Sequence, residues 1–204
     1  MPYSPEHKTE TRKRIVASAR KLFNRRGFTE VSIDEIMADA GLTRGGFYNH
    51  FAAKEELYAE AVGEILNCNP DQWKVAGIDV GARPETVARQ IISAYLSDRH
   101  LEDIDSACPL IALPSDVARG GEGVKRAYRE VLEGMIRLFQ VSQEGSAGAR
   151  ERAVAMATLC VGGMVVARAI DDDGLSEEIR AVASTMAMKA GGFKREMSAV
   201  EAAE

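Results

Sequence analysis

Apolar positions between Lys8 and Arg26 recur at helical spacing. Ile15, Ala19, Leu22 and Phe23 form an i, i+4, i+7, i+8 stripe that Gly27 ends. Residues 1–6, with two prolines, read as a short mobile arm. After Phe28, which points inward from the linker, Ile33, Ile36, Met37 and Ala40 share one face of a shorter helix, Ser32 to Ala40. Ser32 stands at its N-cap, and Glu35 completes a capping box. Gly41 supplies the left-handed position that ends the helix, and Leu42 plugs the corner. Thr43 then caps a very short helix, Arg44 to Phe51, whose Phe47 and Phe51 lie one turn apart and face inward. Arg44, Gly45, Tyr48, Asn49 and His50 are left facing outward. A long helix follows from about Lys54 to near Leu66 or beyond, with Leu57, Ala61 and Ile65 on one face.

Beyond it, Asn69-Pro70 and the stretch from Gly77 to Pro84 punctuate a loop around Trp73, the expected boundary between two modules. Pro84 opens a helix over 85–99, at the first-turn position proline tolerates. A short irregular helix is expected over 107–118, interrupted at Pro114, before the break at Arg119 to Gly123. Val124 to Gln143 is strongly periodic, and Ser146 to Gly148 is the next loop. Arg150 to Ile170 and Leu175 to about Gly191 are the last helices, split by an exposed turn of three aspartates closed by Gly174. Phe193 to Glu204 reads as a frayed end. No segment alternates as a strand would, so the pattern predicts an all-α chain of about nine helices. The expected division is a helix-turn-helix module over 1–53, a linking helix from 54 to about 68, and a larger helical domain over 69–204.

A helix, a glycine turn and a helix with a polar outward face is the geometry used to enter the DNA major groove. Charge sharpens this. The chain totals −5, but residues 1–58 carry +2 and the remainder −7, with eight cations and one acid between Lys8 and Arg26. A basic end on an acidic body suits one DNA-facing module, although a solvated helix surface gives the same count. Cys68, Cys108 and Cys160 are odd in number and far apart, which suits a reducing cytoplasm rather than a disulfide framework. The polar N-terminus carries no secretory signal pattern, and the longest apolar run, Ala153 to Ala167, is too short for a membrane span. His7, His50 and His100 lack metal-ligand spacing, and no phosphate-binding or nucleophile-elbow motif occurs. No cofactor, metal or catalytic residue is expected.

The first helix ending ARKLFNRRGF and the block VSIDEIMADAGLTRGGFYNHFAAKEELY together resemble the TetR/AcrR family of bacterial transcription regulators over roughly residues 10–60. The rest of the chain is similar to that family only in helix count, order and length. The resemblance implies an N-terminal three-helix DNA-binding module, a linking fourth helix, and a C-terminal domain for an inducer and for the homodimer. It implies a repressor released from a palindromic operator, an inverted repeat in double-stranded DNA, by a small molecule.

Within that frame the DNA-binding residues are Thr43, Arg44, Gly45, Tyr48, Asn49, His50 and Lys54. Thr43 opens the short helix, where a hydroxyl and exposed N–H groups suit a phosphate. Arg44 can pair bidentately with guanine. Gly45 admits close backbone approach, Gly46 leaves room for the core, and Asn49 is more peripheral. The family motif places phosphate contacts at Tyr48 and His50, and Lys54 opens the next helix as a further one. The small residues of the last two helices, among them Ala157, Gly162, Ala183 and Ala187, permit close helix approach. By themselves they fit packing inside one chain as well as a four-helix dimer interface, and the resemblance points to the dimer. Trp73, Tyr95, Cys108, Leu110, Met135, Phe139 and Met164 are candidates to line an apolar ligand site, with each also readable as plain core. Three other readings stay open: a thiol-based redox or electrophile sensor through Cys108, a Cys108-dependent enzyme with His100 as base, and a helical protein-interaction module.

Overall fold

The computed structural model describes residues 5–67 and 70–193; the arm at 1–4, Cys68 with Asn69, and the end beyond Phe193 lie outside the described residues. Every regular element among the described residues is helical. α1 spans Pro5–Arg26, so it begins a turn earlier than the periodicity implies. Proline in a first turn gives up no hydrogen bond, since that N–H has no partner there. Gly27 ends α1 at φ 78°, its N–H reaching back to the Phe23 carbonyl at 2.7 Å. α2 spans Ile33–Asp39 with the expected capping box: Glu35 N–H donates to Ser32 Oγ, and Ser32 N–H to Glu35 Oε2 at 2.8 Å. Gly41 takes the left-handed conformation (φ 67°), and Leu42 N–H closes on the Met37 carbonyl at 2.8 Å.

The short helix after the turn is a 3₁₀ helix, Arg44–Asn49, and not an α-helix. Thr43 occupies its N-cap backbone position, but the hydroxyl makes no capping bond. α3 spans Lys54–Gly63, shorter than expected, and tightens into a second 3₁₀ turn over Glu64–Asn67. α4 (Pro70–Val75) and α5 (Pro84–Tyr95) follow, and then three short helices, α6 (Asp98–Glu102), α7 (Pro109–Ala112) and α8 (Pro114–Arg119). Pro109 and Pro114 thus start helices; neither interrupts one. α9 (Glu122–Val141), α10 (Ala149–Arg168) and α11 (Asp173–Ala190) complete the fold. The aspartate turn is shorter than its sequence suggests. Asp172 caps α11 by accepting from Leu175 N–H at 2.8 Å, and Gly174 lies inside the helix. Phe193 is packed at the end of α11, its N–H on the Met188 carbonyl at 3.0 Å.

The chain forms two compact units, and the division is not one cut in sequence. Among the described residues, those up to 72 and 98–134 form the first, and 73–97 with 135–193 form the second. The first unit buries Ile15, Phe23, Ile36, Met37, Phe47, Phe51 and Leu57 with Leu113, Val117 and Val124 from the later segment. Each large apolar side chain so buried contributes roughly 1.5–3 kcal/mol. Tyr58 is its aromatic hub, with Phe28 stacked on it at 4.7 Å and Phe23 edge-on at 5.1 Å. α1 is also tied by polar bonds to the 105–107 segment: Asn24 donates to the Asp105 and Ala107 carbonyls, Arg20 to the Ser106 carbonyl, and Arg25 pairs with Asp105.

In the second unit α10 and α11 pack on each other and on α5. The helices approach closely at Gly163, where a Cβ would stand 2.6 Å from Ala183 Cβ and 3.3 Å from Leu96 Cδ2. Ser176 Oγ donates to the Ala167 carbonyl, Arg180 to the Leu96 carbonyl and Gln143 to the Gly191 carbonyl. No helix among the described residues is long and apolar enough to cross a membrane.

Candidate nucleic-acid interface

The turn at Gly41 and the buried pair Phe47 and Phe51 decide which way the 3₁₀ helix faces. With those two rings at 0% and 2% exposure, the helix can present outward only Arg44, Gly45, Tyr48 and Asn49, all of them exposed. Tyr48 is 60% exposed, its ring edge-on to Phe47 at 5.3 Å. Thr43 is exposed beside them, its hydroxyl not spent on capping. A Cβ on Gly45 would meet nothing within 4 Å, so packing inside this chain gives no reason for a glycine there. Gly46 differs: a Cβ there would touch Met37 Cε at 3.5 Å, an ordinary packing contact. Of the residues expected to face outward, Arg44, Gly45, Tyr48 and Asn49 do so on one short segment pinned by two aromatic anchors, whereas His50 turns partly inward.

Arg44 is held by Asp34 of α2, Nη1 to Oδ2 at 2.7 Å, in an exposed pair. His50 is half-buried. Its Nδ1 is shut away from solvent without a hydrogen-bond partner, and burial, then the nearby Lys8, Arg12 and His7, lower its pKa below the usual histidine value. A ring kept neutral offers a phosphate an N–H donor but little charge. Lys54 is more deeply committed. Its Nζ donates to the Phe28 carbonyl at 2.5 Å and lies 4.2 Å over the Phe28 ring, and burial lowers its pKa. Two of its three N–H donors remain for anything outside.

The basic first helix is chiefly internal bracing. Arg12 pairs with Glu56 and Glu60, Arg14 donates to the Ala40 carbonyl, Arg20 to the Ser106 carbonyl, Lys21 pairs with Asp39, Arg25 with Asp105 and Arg26 with Glu35. Lys8 and Lys13 are exposed. Composition could not distinguish tethers from a DNA-facing charge. The i, i+4 pair Glu56 and Glu60 on α3 was a readable signal for a cation opposite, and sequence reasoning missed it.

The remaining candidates fall in different places. Cys108 and Leu110 are buried in the first unit; Met135, Phe139 and Met164 are buried in the second, where Trp73 and Tyr95 are partly covered. Ala157, Ala183 and Ala187 are buried within the one chain, Ala183 against Gly163 across α10 and α11. Gly162 is exposed in an open groove of about 480 Å³ on the same pair, lined also by Gly163, Ala183, Val166, Ile179, Val182 and Met186. No cluster of metal-ligating side chains occurs among the described residues.

Residues 15–61 match the family described as bacterial regulatory proteins, tetR family. The chain is similar to the HTH-type transcriptional regulator YerO of Bacillus subtilis, 31% identical over 90 residues, covering 44% of this chain and 31% of that one. It is similar to the TetC protein of transposon Tn10 from Escherichia coli, 44% identical over 64 residues, 31% and 32% of the two chains. The match thus spans about a third of the length of either relative. Among solved structures, reduced NemR of E. coli has a TM-score of 0.70 at 19% identity, over 88% of this chain and 96% of that one, which shows a common fold. The matched segment contains all of α2, the 3₁₀ helix with its outward residues, and most of α3. Residues 15–61 are thus a segment of the tetR family of bacterial regulatory proteins, and the chain as a whole shares the fold of the solved structures it resembles.

Proposed function

We propose that the protein is a DNA-binding transcription regulator, a cytoplasmic homodimeric repressor that leaves a palindromic operator when a small, mainly apolar molecule binds within residues 69–204. The observation that carries the reading is the 3₁₀ helix, whose Arg44, Gly45, Tyr48 and Asn49 are exposed while Phe47 and Phe51 anchor it. Phosphate contacts from Thr43, Tyr48, His50 and Lys54 position the turn, and Arg44 with the backbone at Gly45 reads bases. Dimerisation is assigned to the outer face of α10 and α11, where Val166, Leu175, Val182 and Met186 are exposed apolar side chains around Gly162. Two copies joined there would present two turns to two half-sites. Cys108 is only 6% exposed, which supports a packing role over a thiol sensor or nucleophile. The test is selection of bound duplexes from the source genome, followed by a salt titration on the enriched sequence. An inverted repeat bound with a steep salt dependence is expected; no enrichment and no salt-sensitive binding would favour a protein-interaction module instead.

A further inference from the structure

Arg12 sits on α1, away from the outward side chains of the 3₁₀ helix, yet its guanidinium is where three elements meet. Nη1 donates to the His50 carbonyl, at the exit of that helix. Nε donates to both carboxylate oxygens of Glu60, at 3.0 and 3.1 Å, and Nη2 to Glu60 and, at 3.3 Å, to Glu56. The plane lies 4.0 Å from the centre of the Phe51 ring. Glu56 in turn accepts the Ala52 N–H at 2.8 Å. The backbone from His50 to Ala52 is therefore gripped at a carbonyl and at an N–H, with the ring between them covered by the same cation. We propose that Arg12 is a positioning residue: it locks the exit of the 3₁₀ helix against α1 and α3, and so fixes the pose in which Tyr48, Asn49 and His50 meet DNA.

The chemistry requires arginine. Only a planar fork can serve a carbonyl, two carboxylates and an aromatic face together; an ammonium is a point donor with the wrong reach for all four. Arg12 also belongs to the cation cluster that composition assigns to phosphates, and the two roles separate by experiment. The inference rests on the proposed DNA reading for its second arm only.

The variants are Arg12→Lys and Glu60→Gln, the second being the milder if the first fails to fold. Amide hydrogen exchange in the absence of DNA is the first arm. Phe51 and Ala52 amides should exchange about tenfold faster in either variant while Ile36 and Met37 in α2 are unchanged. The second arm compares the enriched duplex with a scrambled duplex of equal length across a salt series. Affinity for the enriched duplex should fall about 10- to 100-fold, affinity for the scrambled duplex should change little, and the salt slope should stay as in the wild type. Uniform acceleration of exchange, or no acceleration, overturns the positioning role. So does a salt slope reduced by about one, with both duplexes weakened alike, because that is a lost phosphate contact. If the wild type binds neither duplex, the DNA reading fails, and the exchange arm still decides whether Arg12 locks the exit.

Discussion

The Asp116 carboxylate on α8 accepts the backbone N–H of Phe28 at 3.0 Å, directly beyond the left-handed Gly27 that ends α1. A Cβ on Gly27 would stand 2.5 Å from Asp116 Oδ2, so the glycine is required both by its φ and by the carboxylate it admits. Gly27→Ala should destabilise the first unit by about 2–4 kcal/mol, from left-handed strain and a displaced charged acceptor. Asp116→Ala should cost about 1–3 kcal/mol and Asp116→Asn less, because the amide oxygen still accepts. Denaturant unfolding of the three variants checks the order.

Lys54 and Phe28 make the neighbouring tie. Lys54→Met keeps the stem and removes the donor to the Phe28 carbonyl, so stability should fall by about 1–3 kcal/mol. Lys54 earns a phosphate assignment only if the same variant also reduces the salt slope of DNA binding by about one. A stability loss with an unchanged slope would make it purely a tether.

The Arg44–Asp34 pair is exposed, and breaking it should move stability by no more than about 0.5 kcal/mol. Its effect should appear on DNA. Arg44→Ala should lose about 1–3 kcal/mol of discrimination at one base position in each half-site. Asp34→Ala should raise affinity for a scrambled duplex by removing an anion from the face, and should weaken base preference by freeing the guanidinium. Competition binding with single-base operator variants measures both.

Glu35 gives a pH dependence of defined sign. The Ser32 backbone N–H, then the Arg26 guanidinium and the Ser32 hydroxyl, hold its carboxyl at about 2, down from 4.5. A depressed carboxylate stabilises the fold above its unfolded value and loses that contribution as pH falls through the folded one. The difference in melting temperature between the wild type and Glu35→Gln should be constant above about pH 5 and vanish near about pH 2. A difference that grew on acidification would reverse the assignment.

Val182 is 54% exposed in the α10–α11 groove, so Val182→Glu should leave the folded chain intact. If this face joins two copies, the variant should sediment as a monomer and bind an inverted repeat roughly 100-fold more weakly, since the second half-site no longer adds avidity. A dimer that survives the substitution places the interface elsewhere.

Much of the first unit was legible because its signals are local. Ser32 and Glu35 lie three residues apart, Gly41 ends a helix by its own φ, and Phe47 and Phe51 sit one turn apart. The ties that hold this module to the rest of the first unit were not legible. Arg25 meets Asp105 and Phe28 meets Asp116 across eighty or more residues, and such pairs leave no periodic trace in one sequence. For the same reason α1 read as a DNA-facing charge when most of its cations are spoken for within the unit. Short helices such as α6 and α7 fall below the length at which a 3.6-residue period can be seen. Ala157 and Ala187 mark buried positions on α10 and α11, but small residues in one sequence do not name what packs on them.

The contact at Gly163 has a consequence in the groove that Gly163 and Ala183 themselves help to line. Because Ala183 and Leu96 occupy the space a side chain would take there, the spacing of α10 and α11 is set from within. That spacing is also the width of the groove, between the row carrying Leu159 and Val166 and the row carrying Ile179 and Met186. A methyl group added at Gly163 would spread both rows. Whatever surface docks in the groove thus meets a width set by two residues of its own lining, and a variant at Gly163 should change the register of docking as well as the face itself.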